Sequence, residues 1–171
     1  YSARLAAELG LPFSFADFFG NTSEYGPQVT DLYRKLFEPS NFLSEPLVNV
    51  GLQVTCAPTE EEAKFVGSSR NLNKIISRLG LSTQGLIPPE EATDWPLDNH
   101  AKNYMEQSTQ NNIEGDPDQV KEGILLAAER YQTGDVGIVT NCYDFAHRKR
   151  SYTLVSKAFR PKGTRDLTPI G

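Results

Sequence analysis

Tryptophan and methionine occur once each in the 171-residue sequence, and cysteine and histidine twice each. Two cysteines are too few for a disulfide framework, and Cys56 and Cys142 lack the spacing of a metal or redox motif. Each stands in an apolar, strand-like run, where a free thiol packs as a small hydrophobe. His100 and His147 are isolated, which argues against a histidine-based metal centre. A basic excess is also missing: 17 Lys and Arg face 22 Asp and Glu, for a net charge of -5. Proteins that hold a phosphate backbone usually carry the opposite field, so nucleic acid is not an expected partner. No apolar run approaches the roughly 20 residues that span a bilayer. The start Tyr1-Ser2-Ala3-Arg4 lacks a signal-peptide layout, and a cytoplasmic protein is expected. No Ser/His/Asp triad, paired-carboxylate motif or P-loop is present, so no side chain is assigned as catalytic.

What the sequence does have is a soluble composition, 38% hydrophobic and 23% charged, and strands that alternate with helices. A short helix runs from Ser2, its cap, to Leu9, with Gly10 as its left-handed stop. Leu11 to Ala16 reads as a buried strand bounded by Asp17 and Gly20. A loop through Thr30 leads to a helical stripe of Val29, Leu32, Tyr33, Leu36 and Phe37, ended by Pro39. Leu47 to Cys56 is the strongest strand, and Thr59 to Glu62 is a capping box that opens a helix. Its apolar stripe is Val66, Leu72, Ile75, Ile76 and Leu79, with Gly80 as the stop. Residues 81–113 read as a polar insertion holding one helix near 97–108, with Asn112 to Glu114 a doubtful further element. Asp116-Pro117-Asp118-Gln119 opens another helix, with Val120, Ile124, Ala127, Ala128 and Tyr131 on its buried face and Gly134 as its stop. Val136 to Thr140 is a strand and 145–159 the last helix. Strands without polar alternation, separated by helices, imply a parallel α/β sheet covered on both faces, in a barrel or a doubly wound fold.

Ordered pieces of sequence carry a resemblance. The run from Tyr1 to Ala16, including Gly10-Leu11-Pro12, is similar to the segment after the fifth strand of bacterial luciferase-like monooxygenases. Leu32-Tyr33-Arg34, Phe37-Glu38-Pro39-Ser40, Glu45-Pro46 before Val48-Asn49-Val50-Gly51, Gly115-Asp116-Pro117, and Tyr143-Asp144 followed by Arg148, Arg150, Ser151 and Tyr152 come in that family's order. The likeness spans nearly the whole chain and is closest to the single-component oxidoreductase subgroup. That subgroup often has His where Asn141 and Phe145 stand, so no imidazole role is carried over to those positions. The family barrel has eight β/α units and about 250 residues. The resemblance therefore implies one partial domain over residues 1–171, the C-terminal part of a luciferase-like (β/α)8 TIM barrel, with parallel strands and covering helices. The absence of a Met before Tyr1 fits a chain cut from something longer.

The family's chemistry uses reduced FMN and O2 to oxygenate a small organic substrate, while the protein holds the ring and excludes water. The resemblance implies an oxidoreductase fragment inactive on its own, with FMN as the cofactor and the deazaflavin coenzyme F420 as second choice. A flavin reductase would be a partner. Ser2 matches a family hydroxyl on the flavin phosphate, although simple helix capping explains it equally. Tyr1 and Ala3 would add backbone contacts. Phe15 and Asp17, at a strand end, are candidates to wall the ring, with Phe18 and Phe19 beside them; ordinary core packing is the competing reading. His147 to Arg150, with Arg160, Lys162 and Arg165, read as a solvated face, as do Glu60 to Glu62. A half barrel exposes two sheet edges, which predicts a homodimer or association with the missing half. The alternative is a non-catalytic flavin-binding or oligomerisation module.

Overall fold

A computed structural model describes residues 1–19, 22–81 and 85–160. Gly20, Lys162 and Arg165 lie outside the described residues. The sheet is organised by β2 (Val48–Cys56), buried along its length except at Asn49, which is half-buried. β1 (Phe13–Asp17) pairs in parallel with Val48 to Leu52, and β4 (Asp135–Val139) in parallel with Asn49 to Gln53. A strand has only two edges, so β1 and β4 must flank β2 on opposite sides. β3 (Ile113–Gly115), the element the sequence left doubtful, is a real parallel strand on Val54 to Cys56. The architecture is α/β, parallel strands with covering helices, as expected.

Register sorts the two faces. Phe13, Phe15 and Asp17 stand level with Val48, Val50 and Leu52, and Val136 and Ile138 with Val50 and Leu52. This face carries the core, packed by α1 (Ser2–Glu8), α2 (Gly26–Leu36), α6 (Pro117–Arg130) and α7 (Phe145–Phe159) through Ala3, Ala7, Tyr33, Val120, Ile124, Ala127, Tyr131 and Val155. The other face reads Ser14, Asn49, Asp135 in one row and Ala16, Gly51, Gly137 in the next. It is small and polar rather than apolar. At its C-terminal end, Glu114 is level with Thr55 and meets Gly67 of α3 (Glu60–Arg78), whereas Ile113, level with Val54, meets Gly123 of α6. Thus α3 and α6 lie on opposite faces of β3.

Several helix ends behave as the sequence predicts. Gly10 and Gly80 both take left-handed φ, and a Cβ at Gly10 would also strike Ser40. Asp116 accepts from the Asp118 and Gln119 N–H groups while Gln119 accepts from the Asp116 N–H, a complete capping box. α7 occupies 145–159, and α5 (Asn99–Thr109) is the helix expected in the insertion, preceded by α4 (Pro89–Thr93), which was not foreseen. Other details differ. Ser2 is the first residue of α1 rather than its cap; Tyr1 takes the cap position and no side chain caps the helix. α2 begins at Gly26, three residues before the expected stripe, because Pro27 is compatible with a first helical turn. Leu79 is exposed as the C-cap of α3, not part of its buried stripe. α6 ends before Gly134: Gln132, with φ of 50°, makes the left-handed turn instead. Arg34 from α2 grips that turn, donating to the Tyr131 carbonyl at 2.6 Å and the Gln132 carbonyl at 3.1 Å. Cys142 lies in the loop after β4, not in a strand, while Cys56 ends β2 as expected.

Two buried tyrosines lock the helices to the sheet. Tyr33 donates to the Leu11 carbonyl at 2.8 Å and accepts from the Leu47 N–H at 3.2 Å, so one hydroxyl fixes the entries of β1 and β2. Tyr131 packs its ring 5.7 Å from Phe15, and its hydroxyl lies over Gly26, where a Cβ would come within 2.1 Å. Gly26→Ala is therefore expected to destabilise the chain by about 2 kcal/mol through overpacking. Tyr131→Phe, which removes the nearest atom, should restore about half of that in the double variant. Urea unfolding of the four members of the cycle measures both.

Candidate functional site

All four strands run in one direction, so their C-terminal ends gather at one end of the sheet, the end where parallel barrels carry their sites. On the small, polar face, Ser14 donates to Asn49 at 2.8 Å and the Asn49 amide donates to Asp135 at 2.9 Å, a belt across three strands. One row toward the C-terminal ends, the Phe18 ring lies against Gly51, where a Cβ would sit 2.9 Å from it, and Phe19 packs on Phe18 with ring centres 4.5 Å apart. Phe19 is exposed. Two aromatic rings, inclined at 49° to each other, are thus held at the end of β1, and Phe18 can sit there because residue 51 has no side chain. Deeper on this face, Gln53 and Thr55 are buried with Nε2 and Oγ1 unpartnered.

The five residues expected to hold a cofactor fall in two places. Tyr1 and Ser2 are exposed at the uncapped start of α1, and Ala3 is buried beneath it. Phe15 and Asp17 lie on the opposite, helix-covered face of β1. Phe15 is 9% exposed, among the rings of Tyr25 and Tyr131. The Asp17 carboxylate is buried at the strand end, accepting from the Thr22 hydroxyl at 2.8 Å and from Arg130 at 3.2 Å. The neighbouring Tyr131 hydroxyl has no hydrogen bond of good geometry, and burial first, then Asp17, push its pKa well up. A neutral phenol and an ion-paired carboxylate make a structural anchor.

Between α3 and β3 lies a second polar centre that no local motif announced. Arg70 donates to Glu114 at 2.5 Å and to Asn112 at 3.3 Å, and Asn112 donates to Asn71 at 3.2 Å. Both members of the ion pair are nearly inaccessible, and burial, opposed by Glu114, lowers the Arg70 pKa. Nearby, burial pushes the Cys142 thiol up to about 11, with Arg148 opposing; burial raises Cys56 to about 11 as well, with Asp116 adding to it. Of the basic cluster, Arg150 pairs with Glu62 at 2.7 Å on the surface. Among the described residues no helix is long and apolar enough to cross a membrane.

No family model matches the chain. It is 29% identical over 154 residues to the luciferase-like monooxygenase of Escherichia coli K12, covering 90% of this chain and 45% of the relative. It is similar to the crystal structure of apo-MsnO8 with a TM-score of 0.78 and 30% identity, over 92% of this chain and 47% of that one. The fold also matches the oxygenating constituent of 3,6-diketocamphane monooxygenase of Pseudomonas putida, a type II Baeyer-Villiger monooxygenase solved with FMN. There the TM-score is 0.55 at 23% identity, over 94% of this chain and 45% of that one. The chain spans about half the length of the curated relatives it matches.

Removing Glu114 strands a buried guanidinium, so Glu114→Ala should cost about 3 kcal/mol. Glu62→Ala, which breaks a partly exposed pair, should cost less than about 1 kcal/mol. Thermal or urea unfolding separates the two. The raised thiols also set a pH dependence. Their contribution is complete below the unfolded thiol pKa of about 8.5 and fades as pH rises toward the folded value of about 11. Urea midpoints should fall across that window, and less steeply in a Cys56→Ala/Cys142→Ala variant.

Proposed function

We propose that this chain forms part of a monooxygenase that uses reduced FMN and O2 on a small organic substrate, a reading supported by its similarity over 90% of its length to a luciferase-like monooxygenase. The observation that carries the cofactor assignment is the Ser2 hydroxyl, exposed at the first residue of α1 within the run Tyr1 to Ala16 that resembles the family's phosphate-binding segment. FMN is the first choice and the deazaflavin coenzyme F420 the second; solved neighbours of the same fold include one in complex with FMN and one dependent on F420. FMN, when bound, supplies the oxygen activation. Ser2 would donate to the phosphate, with backbone N–H groups of Tyr1, Ser2 and Ala3 around it. Phe18 and Phe19, seated on Gly51, would give the ring a dry wall. Phe15 and Asp17 would act from behind, holding the end of β1 through Tyr131, Thr22 and Arg130.

On this reading residues 1–171 are a single partial barrel domain, with 81–113 as an insertion, at work in the cytoplasm with a reductase to supply reduced flavin. Among the described residues β1 and β4 each pair with β2 alone. Their outer edges suit a second half barrel or a second copy, which would complete the pocket and set the substrate. The half-length match also supports a second reading, a flavin-binding or oligomerisation module without turnover.

Calorimetric titration with FMN, oxidised and then anaerobically reduced, tests the proposal. Micromolar binding is expected, weakened about tenfold by Ser2→Ala through loss of one charge-assisted hydrogen bond. No heat at millimolar FMN would refute a flavin site in this chain. Binding without oxygenation of any aldehyde, ketone or sulfonate tried in the presence of a reductase would favour the second reading.

A further inference from the structure

A cleft of about 640 Å³ opens between α3 on one side and α4 and α5 on the other, with Asn112 and Glu114 among its lining residues. That volume lies in the range of small-molecule sites. We infer that this cleft binds a neutral amphiphilic organic molecule, one with an aromatic or alkyl body and a hydroxyl or similar hydrogen-bond donor. The inference is independent of the flavin reading.

Three observations choose this class. One wall is apolar, formed by Trp95, Leu97 and Met105. The hydroxyls that line the cleft have all spent their protons: Ser68 donates to the Phe65 carbonyl at 2.6 Å, Thr93 to the Pro89 carbonyl at 3.1 Å, and Thr109 to the Met105 carbonyl at 2.8 Å. Each therefore offers the cleft only lone pairs, and the Asn71 and Gln110 amides in the same lining can donate, so a neutral hydroxyl, which both donates and accepts, suits the site. Finally, each charge has an opposite charge near at hand. Glu114 is held by Arg70 and Lys64 is bonded to Glu60, while Lys102 and Glu106, both in the lining, are of opposite sign and balance each other without forming an ion pair. A carboxylate or an ammonium would meet these pairs without an unmatched partner and would give up its hydration for little return. A neutral donor loses far less water on entry.

Trp95 is the one tryptophan of the chain and lines the cleft, so its emission reads occupancy directly. The probe set is 2-phenylethanol, phenylacetate and 2-phenylethylamine, which share a body and differ in the charge of the head. A saturable change in Trp95 emission with the alcohol is expected, with the two charged probes at least about tenfold weaker. Ala92→Phe, which fills the cleft from α4, should abolish the saturable change while far-UV circular dichroism stays the same. Thr109→Phe serves as a second filling variant should Ala92→Phe disturb the fold. Either a linear, unsaturated response to the alcohol, or equal or tighter binding of a charged probe, or binding unaffected by a folded filling variant overturns the inference.

Discussion

The structure depends on β2 being paired on both edges and buried along nearly its whole length. A strand so placed has no backbone group that water can satisfy, so every N–H and C=O along it must find a neighbour in the chain. Short partners suffice: five residues each of β1 and β4, and three of β3 where those two no longer reach. Side chains complete the set at the ends. The Thr133 hydroxyl donates to the Val48 carbonyl, Thr140 to the Val54 carbonyl, and the Cys56 N–H to Ser151. α1, α2, α6 and α7 gather on one side because that face of the strand is apolar throughout, while α3 meets the other side only at the C-terminal end, through Gly67 on Glu114.

This division of faces explains why site and core are separable. The apolar face takes tyrosines, phenylalanines and the ion-paired Asp17, all of them committed to packing. The other face is left small and polar, and its aromatic surface comes from Phe18 and Phe19, which lie just beyond the strand. A side chain at residue 51 would push that surface away. The functional character of the sheet rests on what its second face omits, and a fuller barrel would surround that face with further strands rather than helices.

Much of this was legible from local sequence. β2 announces itself by Val, Leu and Cys at every second position from Val48 to Cys56, α6 by a capping box, and the ends of α1 and α3 by Gly10 and Gly80. The family resemblance, carried by ordered short motifs, agrees with the relatives and the fold. What sequence alone could not supply depends on register or on distance along the chain. Whether Phe15 or its neighbours face the open side is decided by pairing with Val50, one residue's slip of which would reverse it. Arg70 and Glu114 are 44 positions apart, and nothing local marks either as buried. Cys142 looked like a strand residue because it follows closely on the apolar run of β4, yet Asn141 before it already marks the end of the strand. Gly134 looked like a helix stop because glycine is the usual one, yet the chain turns two residues earlier.

That earlier turn ties two distant positions together. Gln132 adopts a backbone conformation that L-residues avoid, and the Arg34 guanidinium holds its carbonyl and that of Tyr131 from another helix. A helix end that would usually be finished by a glycine of its own is finished here by a side chain almost a hundred residues away. Replacing Arg34 would leave the Tyr131 and Gln132 carbonyls without that donor, and glycine or asparagine at 132 would take the left-handed turn with less strain.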